Sequence, residues 1–215
     1  ARAQHCCTAA RRKEKTLMRI QLRRAVAAMS AASARSLATS KVTGLARGPY
    51  AVGIKTIQLT DDARQDGGAP RKLQTEVWYP AVESATEPSS FSDFLCGGDV
   101  PSPEIIKAAE RPDAIGGYAD ALTIAQIDAT WPGISVRNAE MASDEKWPVV
   151  AFSHGSGAYR ASYAFWTEHL ASHGYVVCAC DHPGSARFTV VDGQVITPGG
   201  ERSKRAIPNG PICSQ

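Results

Sequence analysis

The sequence predicts an α/β fold in which an antiparallel hairpin leads into a parallel βαβ unit. Three observations carry that prediction. Lys72 to Tyr79 alternates, with Leu73, Thr75, Val77 and Tyr79 on one side and Gln74 and Glu76 on the other, which is the period of a half-buried strand. Pro148 to Ser153 (PVVAFS) is a continuous apolar run closed by the turn His154-Gly155-Ser156-Gly157. Tyr175 to Cys180 (YVVCAC) is a second such run, and continuous apolar strands belong in sheets covered on both faces.

The remaining elements follow in order. Val52 to Leu59 (VGIKTIQL) suits a strand, and Asp61 to Pro70 (DDARQDGGAP) is turn chemistry, so this strand pairs with 72–79 as a hairpin. Residues 80–146 have poor periodicity, with short helices expected near Pro103–Glu110 and Ala119–Ile127. Arg160 to Ser172 reads as a helix with Tyr163, Trp166, Thr167, Leu170 and Ala171 on one face. His173-Gly174 ends it, since glycine accepts the left-handed conformation at a helix C-terminus. Strand, short turn, helix and strand give parallel neighbours. With no later strand evident, Tyr175–Cys180 is expected to keep one ladder of backbone groups uncovered.

Composition narrows the function classes. A hydrophobic fraction of 43% and a charged fraction of 21% are those of a folded globular chain. No apolar run approaches the ~18 residues that cross a bilayer. The net charge of +3 is unevenly divided: residues 1–47 hold eleven Lys or Arg and a single acid, Glu14, while the rest holds thirteen basic and twenty acidic side chains. The body is therefore mildly acidic and offers no basic groove for nucleic acid. The leader lacks aromatics on which bases could stack. Its Ala, Ser and Arg content, with almost no acid, is that of an organellar presequence, so a mitochondrial or plastid destination is expected, and otherwise a cytoplasmic one. The six cysteines match no disulfide framework; Cys178 and Cys180 share a strand face with Val176 and are expected to pack in the core. Three divisions result: a basic leader 1–47, a folded part 48–196, and an irregular Gly/Pro-rich tail 197–215.

A turn that leaves a strand and opens a helix presents unpaired backbone N–H groups, and glycines let an anion approach them. The stretch PVVAFSHGSGAYRASYAFWTEHLASHGYVVCACDHPGS (Pro148–Ser185) resembles the platelet-activating-factor acetylhydrolases and the dienelactone-hydrolase-like esterases related to them. It shares their strand, SHGxG turn, helix ending in LASHG, apolar strand and acidic turn, in that order. RGPYAVG (Arg47–Gly53) and RKLQTEVWYPA (Arg71–Ala81) resemble the opening strands of the same group, and the first also resembles the opening of bacterial cutinase-like polyester hydrolases. The resemblance implies the N-terminal portion of an α/β-hydrolase fold with an incomplete sheet. It implies a carboxylic ester hydrolase acting on short-chain acyl esters or phospholipid acyl esters, without metal or cofactor. By the same resemblance, the backbone N–H of Ser156 lies in the oxyanion hole, and Gly155 and Gly157 shape the turn. His154 packs beneath it, with His154 and Tyr159 as candidate substrate contacts, and Asp181 is structural. One oxyanion donor is worth about 3–4 kcal/mol of transition-state stabilisation.

One departure is plain. Gly-x-Ser-x-Gly, the nucleophile elbow of such enzymes, occurs nowhere in the 215 residues, and no histidine follows His182. Gly155-Ser156-Gly157 is not such an elbow, because Ser156 is one step from each glycine. The nucleophile, acid and base are thus expected outside this sequence, and a catalytically inert fragment or interaction domain is the main alternative. Two other readings compete. Gly155-x-Gly157 followed by Asp181 has the outline of a dinucleotide-binding βαβ, but Arg160 stands where its third glycine belongs. His169 and His173, with Cys178, Cys180 and His182 just beyond, have the residue types of a zinc site.

Overall fold

The computed structural model describes residues 44–66, 68–84, 86–110, 122–131 and 133–198. Strands β1 (Ala51–Asp66) and β2 (Ala69–Ala81) form the hairpin, with Ile54 opposite Trp78 and Val52 opposite Pro80. Both run further than their sequence pattern indicated. Pairing continues to Asp66 and Ala69 across a register shift between Asp61 and Gln65, so much of the supposed turn is a bulged ladder. Gly68, at φ 88°, takes the left-handed position that closes it.

A 3-10 turn (Ser92–Phe94), α1 (Pro103–Ala109) and α2 (Ile124–Thr130) follow, then a three-residue strand β3 (Ser135–Arg137). Helix α1 lies where it was expected. Helix α2 starts later, because Thr123 and Gln126 form a reciprocal capping box; residues 119–121 of the expected helix lie outside the described residues. Strand β4 (Val149–Ser153), α3 (Ala164–Ser172) and β5 (Val176–Cys180) make the βαβ unit, β4 and β5 pairing in parallel. A small hairpin, β6 (Thr189–Val191) with β7 (Gln194–Ile196), closes the described part. No described helix is long and apolar enough to cross a membrane.

The main sheet has the order β3-β1-β2-β5-β4. Strand β5 is therefore flanked on both sides, antiparallel to β2 and parallel to β4. This corrects the expectation of an uncovered ladder on β5: the hairpin reaches across to pair with it, and among the described residues the edges are β3 and, on the βαβ side, β4. The two faces also differ. Val52, Ile54, Trp78, Val177 and Ala179 point into a core shared with Phe91, Phe94, Leu95, Ala161, Ala164 and Ala171. Strand alternation sends Val149, Ala151, Val176, Cys178 and Cys180 to the other side, where Val149 is 67% exposed and both cysteines are half-buried. The cysteines therefore lie opposite the core rather than within it. An unpaired edge beside an apolar face promotes association. The chain at micromolar concentration is expected to sediment as associated species and bind a hydrophobic dye, and Val149→Lys should shift it toward monomer. A sharp, reversible melt of a monomer would contradict this.

Helix α3 begins four residues later than its pattern indicated and turns a different face inward. Ala164, Thr167, Glu168, Ala171 and Ser172 are buried, while Trp166 is 43% exposed. Small side chains let the helix sit close on the sheet, and Glu168 is drawn in by donors. Its Oε1 accepts from the N–H of Ile134 (3.2 Å), the N–H of Ser135 (3.0 Å) and the Ser135 hydroxyl (2.6 Å), which ties edge strand β3 to the helix. Burial raises the Glu168 carboxyl above the usual carboxylate range, against those hydrogen bonds and the charge of Arg47. Since the folded value is the higher one, stability is fully present below the unfolded value and is lost as pH rises through the folded value. Glu168→Gln keeps the acceptor and cannot ionise. Its melting temperature should match the parent near pH 4.5 and exceed it at pH 8, whereas Glu168→Ala should cost about 3 kcal/mol by stranding buried donors. A Gln variant less stable than the parent at pH 8 would refute the assignment.

The segment before β1 is fixed to the end of α3. Gly48 N–H donates to Ser172 Oγ (3.0 Å) and Tyr50 N–H to Ser172 O (3.1 Å). A Cβ on Gly48 would stand 2.0 Å from Ser172 O, so only glycine fits there. Gly174, at φ 96°, ends the helix as its sequence indicated.

Candidate active site

Parallel pairing sets Ser153 opposite Cys180, so the turns that follow β4 and β5 emerge together at one end of the sheet. In open α/β sheets, ligands bind at the carboxyl ends of the strands. The first turn is His154-Gly155-Ser156-Gly157 and the second Asp181-His182-Pro183-Gly184. Gly157, at φ 74°, bends the first so that its N–H reaches Ser185 O (3.2 Å), and Ala158 N–H closes on Gly155 O (3.1 Å). Gly155 and Ser156 are exposed, and their N–H groups donate to no acceptor among the described residues. A Cβ on Gly155 would have the Tyr163 hydroxyl as its nearest neighbour, at 3.9 Å. The turn thus offers free amide donors beside open space, which suits an anion or a developing oxyanion.

His154 is buried beneath the turn, 6% exposed. Its Nδ1 lies 2.8 Å from Gly155 O, and its Nε2 accepts from the His182 N–H at 3.1 Å. A carbonyl only accepts and an N–H only donates, so the ring is neutral with its proton on Nδ1. The His182 ring lies 4.5 Å from that of His154, and its Nε2 is 2.8 Å from the exposed Ser153 Oγ. Burial first, then the neighbouring His154 and Arg71, lower the His182 imidazole below its usual value, with Asp181 opposing. No periodic signal in the sequence marks this Ser153–His182–His154 group; only the strand register brings it together.

Tyr159 does not face the turn. It is 7% exposed, with its ring against Phe188 (4.9 Å) and Phe91 (6.4 Å), so the candidate contact is a core residue. Apolar neighbours from the 3-10 region and the segment before β6 draw it inward, and burial pushes its phenol well above the ordinary range.

Asp181 is wholly buried and accepts from the Arg160 N–H (2.6 Å) and the Arg160 guanidinium. Arg160, equally buried, also reaches Glu76 (3.4 Å) and the carbonyls of Phe94 (2.7 Å) and Leu95 (3.0 Å). Arg137 extends the group from Glu76 (3.0 Å) to Asp93 (2.9 Å). Burial opposes the charge on Arg160, but Asp181 and Glu76 outweigh it and raise its pKa. The arginine thus occupies the space that a dinucleotide fold leaves for glycine, and Asp181 is not free for a ribose hydroxyl. For the zinc reading, the rings of His169 and His173 are 4.6 Å apart, but among the described residues no three His, Cys, Asp or Glu gather to hold a metal.

The βαβ unit, the glycine turn at its carboxyl end and the buried acidic turn beside it define an α/β chain with open backbone amides at the end of its parallel strands. The family model for platelet-activating factor acetylhydrolase, isoform II, matches residues 37–204, and the chain belongs to that family. Platelet-activating factor acetylhydrolase of Cavia porcellus is 26% identical over 140 residues, covering 63% of this chain and 27% of that protein. The Bos taurus enzyme of the same name is 47% identical over 53 residues, or 24% of this chain and 12% of that protein. The chain thus spans only about a quarter, or less, of the length of these relatives. Among solved structures, ferulic acid esterase from Streptomyces cinnamoneus aligns with 75% of this chain and 40% of its own, at 25% identity and a TM-score of 0.49.

Proposed function

We propose that this chain carries the oxyanion-binding part of a carboxylic ester hydrolase that acts on short-chain acyl esters or phospholipid acyl esters. The observation that carries the proposal is the exposed, unbonded Ser156 amide at the carboxyl end of the parallel pair. In this reading the Ser156 N–H, with Gly155 and Gly157 shaping its turn, receives the carbonyl oxygen as it turns into an oxyanion. His154 supports the turn from below. A nucleophile, acid and base from a Gly-x-Ser-x-Gly-containing part of the enzyme complete the site, since the 215 residues contain no such element. The test is kinetic. A product of the same locus that continues through that element should cleave p-nitrophenyl acetate and a phospholipid with a short sn-2 acyl chain. Failure on both would remove the reading.

A second reading has one observation in its favour. The unpaired β4 edge and the apolar face beside it suit a chain that works, if at all, against a partner, as an inert hydrolase segment or interaction domain.

We also propose that the basic leader is an organellar address. Residues 18–47 fused to a fluorescent reporter should place it in mitochondria or plastids. A diffuse cytosolic signal, unchanged when Arg19, Arg23 and Arg24 are replaced, would count against it.

A further inference from the structure

We infer that His154, His182 and Ser153 form a clamp that holds the oxyanion turn against the end of β5, and that the clamp closes only while His154 is neutral. The inference rests on the proposed role of the Ser156 amide for its functional meaning, but its geometry stands apart from that role.

Both nitrogens of His154 are committed, and in opposite senses. Nδ1–H donates to Gly155 O within the turn, and Nε2 accepts from the His182 N–H of the next turn. One ring thereby bridges the two loops. A second proton on His154 must go to Nε2, where it would point at the His182 N–H. Two donors then face each other, and the bridge must open. The His182 ring closes the group from the other side. It lies against His154 at 4.5 Å, and its Nε2 is bonded to Ser153 at the end of β4. The charged groups facing the pair are Arg71 on β2 and Asp181 at the end of β5, and Arg160 holds the latter. A cation on the His182 imidazole would thus meet the His154 ring and Arg71, while the nearby carboxylate is already paired.

The consequence is positional. The Ser156 amide is two residues from a ring that fixes Gly155 O, and Gly157 is bonded across to Ser185 in the second loop. Opening the bridge removes the His182 anchor from one end of the turn, while the Gly157 bond to Ser185 O does not run through the ring. His154 and His182 are therefore positioning residues, acting on the donor through the backbone and not on substrate. The sign follows from linkage. The clamped His154 ring has no nitrogen left for a second proton and the opened ring has one, so falling pH favours the open state, and the lowered value of His182 acts in the same direction.

The experiment is amide hydrogen exchange of the full 215-residue chain between pH 7.5 and 5.0, corrected for the intrinsic pH dependence of exchange. The reporters are the His182 and Ala158 amides, and the β1–β2 hairpin is the internal control. Protection of the reporters should fall about tenfold or more toward pH 5.0 while the hairpin keeps its own. His154→Gln, which retains an acceptor of similar reach and does not titrate, should keep most of the protection at pH 7.5 and show a much smaller pH dependence, the remainder belonging to His182. His154→Ala should lose protection throughout. Imidazole nitrogen spectra give a second reading that needs no variant: at pH 7.5 His154 should carry its proton on Nδ1. A pH-independent profile in the parent, a His154→Gln variant that titrates like the parent, or a proton on Nε2 would each overturn the clamp. Exchange reads the turn and not turnover, so the two ideas fail separately. A titrating clamp in an enzyme indifferent to loss of the Ser156 N–H would leave the clamp and remove the donor.

Discussion

Purified as 215 residues, the chain should hydrolyse p-nitrophenyl acetate no faster than an inert protein at equal mass, a shortfall of order 10⁶ in turnover against an intact serine hydrolase. The sequence contains no Gly-x-Ser-x-Gly, so no serine is held on the strained strand-to-helix turn that exposes a nucleophile. The strongest internal challenge is Ser153, an exposed hydroxyl 2.8 Å from a histidine nitrogen. That pair has the look of a nucleophile and its base, but among the described residues no carboxylate orients the ring. A catalytic imidazole is oriented by a carboxylate that also stabilises its cation. Asp181, next to His182 in sequence, is buried and bound to Arg160 instead. The His154 ring against His182 further disfavours a cation there. A fluorophosphonate probe should therefore label no serine of this chain. Covalent labelling of Ser153, or of any other serine, would refute the expectation and make that residue the nucleophile.

The parts legible in the sequence were those with a local period or a local breaker. The strands of the β1–β2 hairpin, those of the parallel β4–β5 pair and the Gly174 stop are legible because each segment carries its own apolar run, alternation or breaker, from which the pairing follows. What could not be read depends on contacts far along the chain. Strand β3 has three residues and no alternation; it exists because β1 offers an edge and Glu168, 33 residues later, accepts from the Ser135 amide. Periodicity turns a different face of helix α3 inward because a glutamate counts as polar in any such pattern, whereas here three donors make the burial of Glu168 tolerable. The open edge was placed on β5 for a similar reason. Sequence order puts β5 last in the βαβ unit, but β2 crosses to pair with it, which leaves β4 outside.

The candidate site shows the same division. The glycines of the turn announce themselves, since few residues other than glycine allow φ near 74° as at Gly157. Its foundations do not. Ser153 and His182 are 29 residues apart and meet only through the register that sets Ser153 beside Cys180. Tyr159, close to the turn in sequence, is carried into the core by the chain's path before α3. Arg160 could be noted as a residue out of place for a dinucleotide fold, but not as the centre of a buried ion group joining Glu76 and Asp181.

In the complete enzyme, Ser156→Ala should leave turnover within a few-fold, whereas Ser156→Pro should lower it by a factor of order 10²–10³. The contrast isolates the backbone. The Ser156 side chain makes no hydrogen bond among the described residues, so removing its hydroxyl strands no partner and changes no donor at the turn. Proline removes the N–H itself, and that group is the one proposed to meet the oxyanion. A loss confined to the transition state would lower kcat and kcat/KM together, while KM for a short ester should move little. Disturbance of the turn by the proline ring would look different. It should weaken the Ala158 N–H bond to Gly155 O and the Gly157 N–H bond to Ser185 O, which exchange at those two amides would reveal. Gly157→Ala serves as the comparison, since a side chain at φ 74° strains the turn while every N–H remains. It should slow the enzyme less than Ser156→Pro. If Ser156→Ala proves as damaging as Ser156→Pro, the side chain rather than the amide matters. If neither changes turnover, the oxyanion is held elsewhere, and the open amides of this turn have another use.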